Sequence, residues 1–247
     1  MISIFRNKKN VSVNFSEIRC DMHSHLIPGI DDGAPDISTS LKLIKGLQDL
    51  GYKKLITTPH VLWDMYKNTP DIILAGYEKV KKEIAKQNIA VEFEVAAEYL
   101  LDDYFEKLID EETTTLLAFY DNLVLLEFSF VKEPVELKSV LFKLQVRGYQ
   151  PVIAHPERYL YFGANKQWYN EMKDIGCLFQ LNILSLSGFY GKAAVELSQY
   201  LIRQEYYNLI GTDLHHSRHL EMLEASSSYS GIIKKLLDSG KILNSRL

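Results

Sequence analysis

Asp21-Met22-His23-Ser24-His25, with Asp31-Asp32-Gly33 shortly after it, is the stretch from which the fold is read. His23 and His25 are two apart, so on an extended backbone both side chains leave the same face. Just upstream, Ile18-Arg19-Cys20-Asp21-Met22 has the alternating character of a short strand. Two imidazoles at one strand end can share a divalent ion, because neutral imidazole nitrogen is a common metal ligand. Surface or helix-capping histidines are the competing reading, and a lone His-x-His would favour it. The rest of the chain shifts the balance.

Outward from that pair, helix-start signals at Asp36 and Ser38 precede Leu41, Leu43, Ile44, Leu47 and Leu50, and Gly51 is a stop. A second strand is expected over 53–58, running into Thr58-Pro59-His60. A helix over 70–87 leads to a third strand, 91–97, ending at Glu98. A short acidic helix over 101–109 precedes a fourth strand, 123–126, ending at Glu127. A helix over 136–147, stopped by Gly148, leads to a fifth strand, 150–154, ending at His155-Pro156-Glu157-Arg158. A helix over 165–175 precedes a sixth strand, 177–181, ending at Asn182. A helix over 190–204 precedes a seventh, 208–211, which runs into Thr212-Asp213-Leu214-His215-His216. The tail from Leu220 reads as helix, with Gly231 as a break.

Seven strands alternating with helices imply a parallel sheet with right-handed crossovers. An open doubly wound sheet gathers its ligand near a few strands at the switch point. A barrel brings the C-terminal end of every strand to one mouth. Here a ligand-type residue follows every strand, so the expectation is an α/β barrel.

Bulk properties bound the function. The 247 residues are 47% hydrophobic and 24% charged, enough apolar material for a sizeable core, and one domain over 1–247 with an N-terminal arm over 1–17 is expected. A net charge of −4 and a pI near 6.0 argue against a nucleic-acid binder that works through a basic surface. Cys20 and Cys177 sit in apolar strand-like runs, as buried thiols of a reducing compartment would. No run approaches the roughly 18 apolar residues of a membrane span. A cytoplasmic protein with no membrane insertion is expected.

Five of the seven histidines, His23, His25, His60, His155 and His215, follow strands directly, and His216 and His219 belong to the last such segment. A single histidine there is more often structural than a ligand. Five at corresponding places, interleaved with Asp31 or Asp32, Glu98, Glu127 and Asp213, are hard to explain as packing. Acids gathered at one mouth would repel, and burying them uncompensated costs several kcal/mol. Divalent cations remove that cost, and imidazoles with carboxylates but no thiolate suit Mn2+, Fe2+ or Zn2+. Nine ligands exceed the needs of one ion, so two or three ions sharing a carboxylate are expected. Such a cluster suits phosphate-ester hydrolysis: one ion activates a water and another holds the phosphoryl oxygens in line.

Arg158 is expected to meet transition-state charge through its planar fork, a surface salt bridge to Glu157 being the competing reading. Arg218 is a second candidate, which opening of the last helix would also explain. Trp63, Met65 and Tyr66, and in the same way Phe128, Phe130, Tyr159, Tyr161 and Phe162, follow strands as either an aromatic-substrate wall or covers for the metal site. Asn182 is read as a substrate contact or as a turn residue. Neither cysteine begins a Cys-x5-Arg loop, so water is expected to attack directly, with no phosphocysteine.

Taken in order, His23-Ser24-His25 with Asp31-Asp32-Gly33, Thr58-Pro59-His60, Glu98, His155-Pro156-Glu157-Arg158 and Asp213-Leu214-His215 resemble the PHP (polymerase and histidinol phosphatase) superfamily. More narrowly, Ile30-Asp31-Asp32-Gly33 and the His-Pro-Glu-Arg run are similar to the CpsB/CapC/YwqE-type bacterial tyrosine-protein phosphatases. The likeness covers Asp21 to about His219. It implies a distorted (β/α)7 barrel of the TIM-like kind and a trinuclear, usually manganese-dependent site. It also implies dephosphorylation of phosphotyrosine on a tyrosine kinase that controls capsule or exopolysaccharide export.

Carried over, the resemblance puts His23, His25, Glu98 and Asp213 around one ion. Glu98, as a bridge, would hold a second with Glu127 and His155; Asp32, His60 and His215 would hold a third. Asp31 remains the rival of Asp32. The family's last arginine usually lies further along than Arg218, and the leader here is longer than in many relatives. A small phosphomonoester such as histidinol phosphate is the alternative substrate. A nuclease is disfavoured by the acidic charge, and an inactive binding module by the complete ligand set.

Overall fold

A computed structural model of the chain describes residues 15–225 and 229–247. The expected arm over 1–17 falls mostly outside the described residues. Of its last part, Phe15 is buried and donates its N–H to Leu50 O at 2.8 Å.

The strands are β1 (Cys20–Asp21), β2 (Lys54–Thr57), β3 (His60–Val61), β4 (Glu92–Val95), β5 (Glu98–Leu100), β6 (Leu123–Glu127), β7 (Gln150–Ala154), β8 (Leu178–Asn182) and β9 (Tyr207–Gly211). They form two parallel sheets, ordered β1-β2-β4 and β3-β5-β6-β7-β8-β9. Two of the seven expected strands are therefore split. Pairing stops at Thr57 because Pro59 has no N–H to give to a ladder, while Thr58 N–H turns to Ser24 O at 2.7 Å. The neighbouring segment breaks at Ala96-Ala97 in step with it. Ala96 N–H still donates to Thr57 O at 2.9 Å and Glu98 N–H to Pro59 O at 3.1 Å. The two breaks carry His60 and Glu98, paired in register, into the second sheet.

The outer strands of the two sheets also meet. Past β1 and β9, Asp213 N–H donates to His23 O at 2.8 Å and His25 N–H to Leu214 O at 2.9 Å. At the other end, buried Asn244 donates through Nδ2 to Cys20 O at 2.9 Å and to Ile210 O at 2.6 Å. It also accepts from Ile210 N–H at 2.9 Å. An amide side chain thus takes the place of a ladder rung.

Helices α1 (Ile37–Asp49), α2 (Pro70–Lys86), α3 (Asp103–Asp110), α4 (Leu137–Val146), α5 (Gln167–Asp174), α6 (Lys192–Arg203), α7 (Ser217–Glu224) and α8 (Ser230–Asp238) fill the connections. Asp36 caps α1 by accepting Thr39 N–H, and Thr69 caps α2 with Pro70 at its first position. Gly231 lies in the first turn of α8 instead of breaking a helix; α7 ends at Glu224 and α8 starts at Ser230.

Strand parity separates two apolar cores. Val124, Leu126, Ile153, Phe179, Leu181 and Ile210 pack with helix residues such as Leu43, Leu141 and Leu144. Cys20, Met22, Ile56, Leu125, Val152, Ala154 and Leu209 pack with one another in a second cluster that holds no helical residue. Such alternation is what sheets buried on both faces require.

Candidate metal centre

The side chains that follow the strands converge above the second core. His23 and His25 follow β1, His60 and Glu98 open β3 and β5, and Glu127 ends β6. His155 follows β7, and Asp213 and His215 follow β9. His155 (φ 31°) and Asp213 (φ 52°) hold left-handed backbone, which costs a residue with a Cβ of order 1–3 kcal/mol and recurs at functional sites.

Glu98 is at the centre. Its Oε2 lies 3.1 Å from His23 Nε2, 3.3 Å from His25 Nε2 and 3.2 Å from His60 Nδ1, and its Oε1 lies 3.4 Å from His155 Nε2. Asp213 Oδ1 lies 3.3 Å from His23 Nε2 and 3.5 Å from His25 Nε2. Glu127 lies 3.6 Å from both His155 Nε2 and His60 Nδ1. Asp32 Oδ1 lies 3.5 Å from His60 Nε2 and 3.6 Å from His215 Nε2. Eight of these side chains are buried or partly buried, and Asp32 stands at the exposed rim.

The loop after β1 separates the two aspartates. Asp31 Oδ2 accepts from His25 Nδ1 at 2.9 Å and from His60 N–H at 3.2 Å, and its Oδ1 accepts Gly33 N–H at 3.0 Å. Asp31 therefore orients His25 from behind, while Asp32 faces the imidazoles. A Cβ at residue 33 would lie 2.3 Å from His25 O, so only glycine lets the loop fold back this closely.

The charges are unevenly met. Burial works to raise the Glu98 and Asp213 pKa values, but the neighbouring imidazoles outweigh it and hold both carboxyls well below the usual range. Burial and the Glu98 charge push Glu127 well above it. Burial and the His25 charge bring His60 down to about 4, and burial with Arg158 does the same to His155. Both oxygens of Glu98, Nδ1 of His60 and both ring nitrogens of His155 are buried without a hydrogen bond. Atoms so crowded and so poorly satisfied fit a cation-binding centre. Four overlapping groups drawn from the nine residues each hold their donor atoms within 4.8 Å of one another.

A cavity of about 480 Å³ opens above the cluster, lined by Asp32, His60, Glu127, Asp213 and His215 and by Met65, Tyr66, Phe128, Phe130, Arg158 and Tyr190. Arg158 donates to Asp213 Oδ2 at 2.7 Å and lies 4.5 Å from the Phe130 ring and 4.1 Å from that of Tyr190. The expected alternative, a surface bridge to Glu157, is not what forms: Glu157 is buried and accepts from Asn182 N–H, Ser185 Oγ and Tyr207 Oη. Arg218 is exposed in the first turn of α7, over Phe189 at 5.8 Å, and does not line the cavity. His216 and His219 do line it.

Among the aromatic candidates, Trp63 stacks on Tyr104 at 3.9 Å and faces an adjoining cleft, not this cavity. Tyr159 is buried, and Phe162 stacks on Trp168 at 3.7 Å. Asn182 serves two ends at once: Oδ1 accepts Leu184 N–H at 2.9 Å, and Nδ2 donates to Asp213 Oδ2 at 2.9 Å. Sequence reasoning missed Gln180, a buried amide beneath His23. A single polar residue within the apolar run Leu178-Phe179-Gln180-Leu181 was the available signal.

Comparison with known proteins adds independent information. The profile of a family described as capsular polysaccharide synthesis, CpsB/CapC, matches residues 19–237. Tyrosine-protein phosphatase YwqE of Bacillus subtilis is 30% identical over 196 residues, covering 79% of this chain and 76% of that protein. The fold superposes with a TM-score of 0.76 at 26% identity, covering 92% of this chain and 94% of the other, on a chain from the crystal structures of YwqE from B. subtilis and CpsB from Streptococcus pneumoniae. Those are described as unique metal-dependent tyrosine phosphatases. A histidinol phosphate phosphatase from Lactococcus lactis, with a TM-score of 0.51 at 12% identity over 90% of this chain and 92% of that one, shares the fold alone.

Proposed function

The chain belongs to the CpsB/CapC family of capsular polysaccharide synthesis, and we propose that it is a metal-dependent protein-tyrosine phosphatase of that system. Its substrate is read as the phosphotyrosine segment of a bacterial tyrosine kinase that controls capsule or exopolysaccharide export. The observation that carries this reading is the pocket itself: eight imidazole and carboxylate side chains gather around Glu98, whose two buried oxygens have no hydrogen bond.

The two sheets act as one distorted (β/α)7 barrel within a single domain over 1–247, which the segregated cores and the hydrogen bonds between the β1 and β9 segments support. Three ions, with manganese the expected metal, would be held by His23, His25, Glu98 and Asp213; by Glu98, Glu127 and His155; and by Asp32, His60 and His215. The two buried free thiols accord with a reducing cytoplasm; no helix among the described residues is long and apolar enough to cross a membrane.

Bound there, such ions lower the pKa of a water and neutralise phosphoryl oxygens. The chain supplies the rest. Arg158, which lies over the rings of Phe130 and Tyr190, presents guanidinium donors to the cavity where charge develops on the transferred group. Met65, Tyr66 and Phe130 give the cavity an apolar and aromatic wall suited to a phenyl ring. Cys177, its thiol pushed up to about 12 by burial, and Cys20 lie in the apolar cores and do not line the cavity, so neither is placed as a nucleophile. Neither role is assigned to Arg218, which stands away from the pocket.

Turnover of a phosphotyrosine peptide and of histidinol phosphate at equal enzyme, each with Mn2+ and with excess chelator, tests the reading. Chelator-sensitive preference for the peptide is expected. Preference for histidinol phosphate, or peptide turnover untouched by chelator, would overturn it.

A further inference from the structure

Gln180 lies in the middle of β8, fully buried, and its side chain points to the face that carries the second apolar core. Its neighbours Phe179 and Leu181 point the other way, into the helix-packed core. The amide makes three hydrogen bonds. Nε2 donates to Leu181 O at 2.7 Å; Oε1 accepts His155 N–H at 3.2 Å and lies 3.0 Å from His23 Nδ1.

Those partners fix the amide's orientation. A backbone carbonyl only accepts and a backbone N–H only donates, so the Gln180 nitrogen must face Leu181 and its oxygen must face His155. The oxygen that remains for His23 can only accept. His23 therefore carries a proton on Nδ1, which leaves Nε2 as the ring nitrogen that can be offered to a cation. That Nε2 is the atom 3.1 Å from Glu98 and 3.3 Å from Asp213.

His25 reaches the same tautomer by a different route, through the Asp31 carboxylate at 2.9 Å, and His215 through the carbonyl of Asp213 at 2.9 Å. The backing of His23 differs in being a neutral side chain and in tying together two separate strand ends, those of β1 and β7. Space for it is reserved: a Cβ on residue 211 would sit 2.9 Å from Gln180 Nε2 and 2.7 Å from His23 Cβ. Gly211 leaves room for the amide beside His23.

We propose that Gln180 is a positioning residue of the metal centre: it holds His23 as the Nδ1–H tautomer and sets the distance between His23 and His155. This inference rests on the reading of the cluster as a metal site. Groups behind a metal-bound histidine fix its ring and tautomer, and their loss typically weakens metal binding about 10- to 100-fold.

The test measures Mn2+ affinity by chelator competition for the full chain and for Gln180→Met and Gln180→Glu, together with the urea midpoint of each metal-free protein. Methionine fills the space and offers only a weak thioether acceptor; glutamate keeps both accepted bonds and loses the one donated to Leu181 O. Gln180→Met is expected to lose tenfold or more in affinity and, with three buried hydrogen bonds gone, to show a lower metal-free midpoint while remaining folded; Gln180→Glu is expected to stay within tenfold of the unsubstituted chain in affinity. Methionine binding within tenfold of the unsubstituted chain overturns the proposal. So does a loss of affinity shared equally by both variants, which would mark a purely structural role. Where Gln180→Met does not fold, Gln180→Glu decides alone: affinity within tenfold supports the proposal and a larger loss overturns it. Failure of the unsubstituted chain to bind Mn2+ at all would instead remove the metal reading beneath it.

Discussion

Replacing Glu98 by glutamine removes one charge while keeping the shape of the side chain. The carboxylate is fully buried and has imidazole nitrogens of His23, His60, His25 and His155 at 3.1, 3.2, 3.3 and 3.4 Å. Two unit charges about 4 Å apart interact by ~4 kcal/mol at an effective dielectric of about 20. A divalent ion doubles that, and every ~1.4 kcal/mol is tenfold in affinity. Even the single-charge figure corresponds to about a thousandfold loss of Mn2+ affinity. Because Glu98 is read as the ligand shared by two ions, turnover of a phosphotyrosine peptide should fall by at least that factor. Chelator competition gives the affinity, steady-state hydrolysis the rate, and far-ultraviolet circular dichroism shows whether the variant is folded. A folded Glu98→Gln protein that binds Mn2+ within tenfold of the unsubstituted chain and hydrolyses the peptide at a comparable rate would refute the reasoning.

Three further outcomes are expected. Arg158→Lys keeps a charge but loses the planar fork, so peptide turnover should fall about 100-fold with ion content unchanged by elemental analysis; equal loss of both would make Arg158 structural. Tyr66→Ala should raise KM for the peptide about 3- to 10-fold, the worth of one aromatic contact, and leave hydrolysis of glycerol 2-phosphate unaltered. Asn244→Ala removes three buried hydrogen bonds, one to Cys20 of β1 and two to Ile210 of β9. At about 1 kcal/mol each, this should lower unfolding stability by roughly 3 kcal/mol, seen as a lower urea midpoint with an unchanged slope.

The elements were legible because their signals are local. Apolar runs bounded by Gly, Pro and helix caps gave each strand and helix to within a few residues, and the polar residue after each strand marked one end of the sheet. What joins distant segments was not legible. Nothing in Asp31-Asp32 says which carboxylate faces the imidazoles; that is decided by Gly33 packing against His25 O. The strand expected over 53–58 shows Pro59 but not that its neighbour would break in step at Ala96-Ala97. Gln180 reads as an interruption of an apolar strand until parity turns it inward beneath His23. Arg218, three residues after His215 in sequence, is carried outward by the turn into α7, which spacing alone could not reveal.

The central claim is that acids and imidazoles from far-apart segments grip a shared set of cations. Crystals grown with Mn2+ and measured at the manganese absorption edge test it most directly. Two or three anomalous peaks are predicted, bounded by His23, His25 and Asp213, by Glu127 and His155, and by Asp32, His60 and His215, with Glu98 between the first two. A map without an anomalous peak among these side chains would contradict the account.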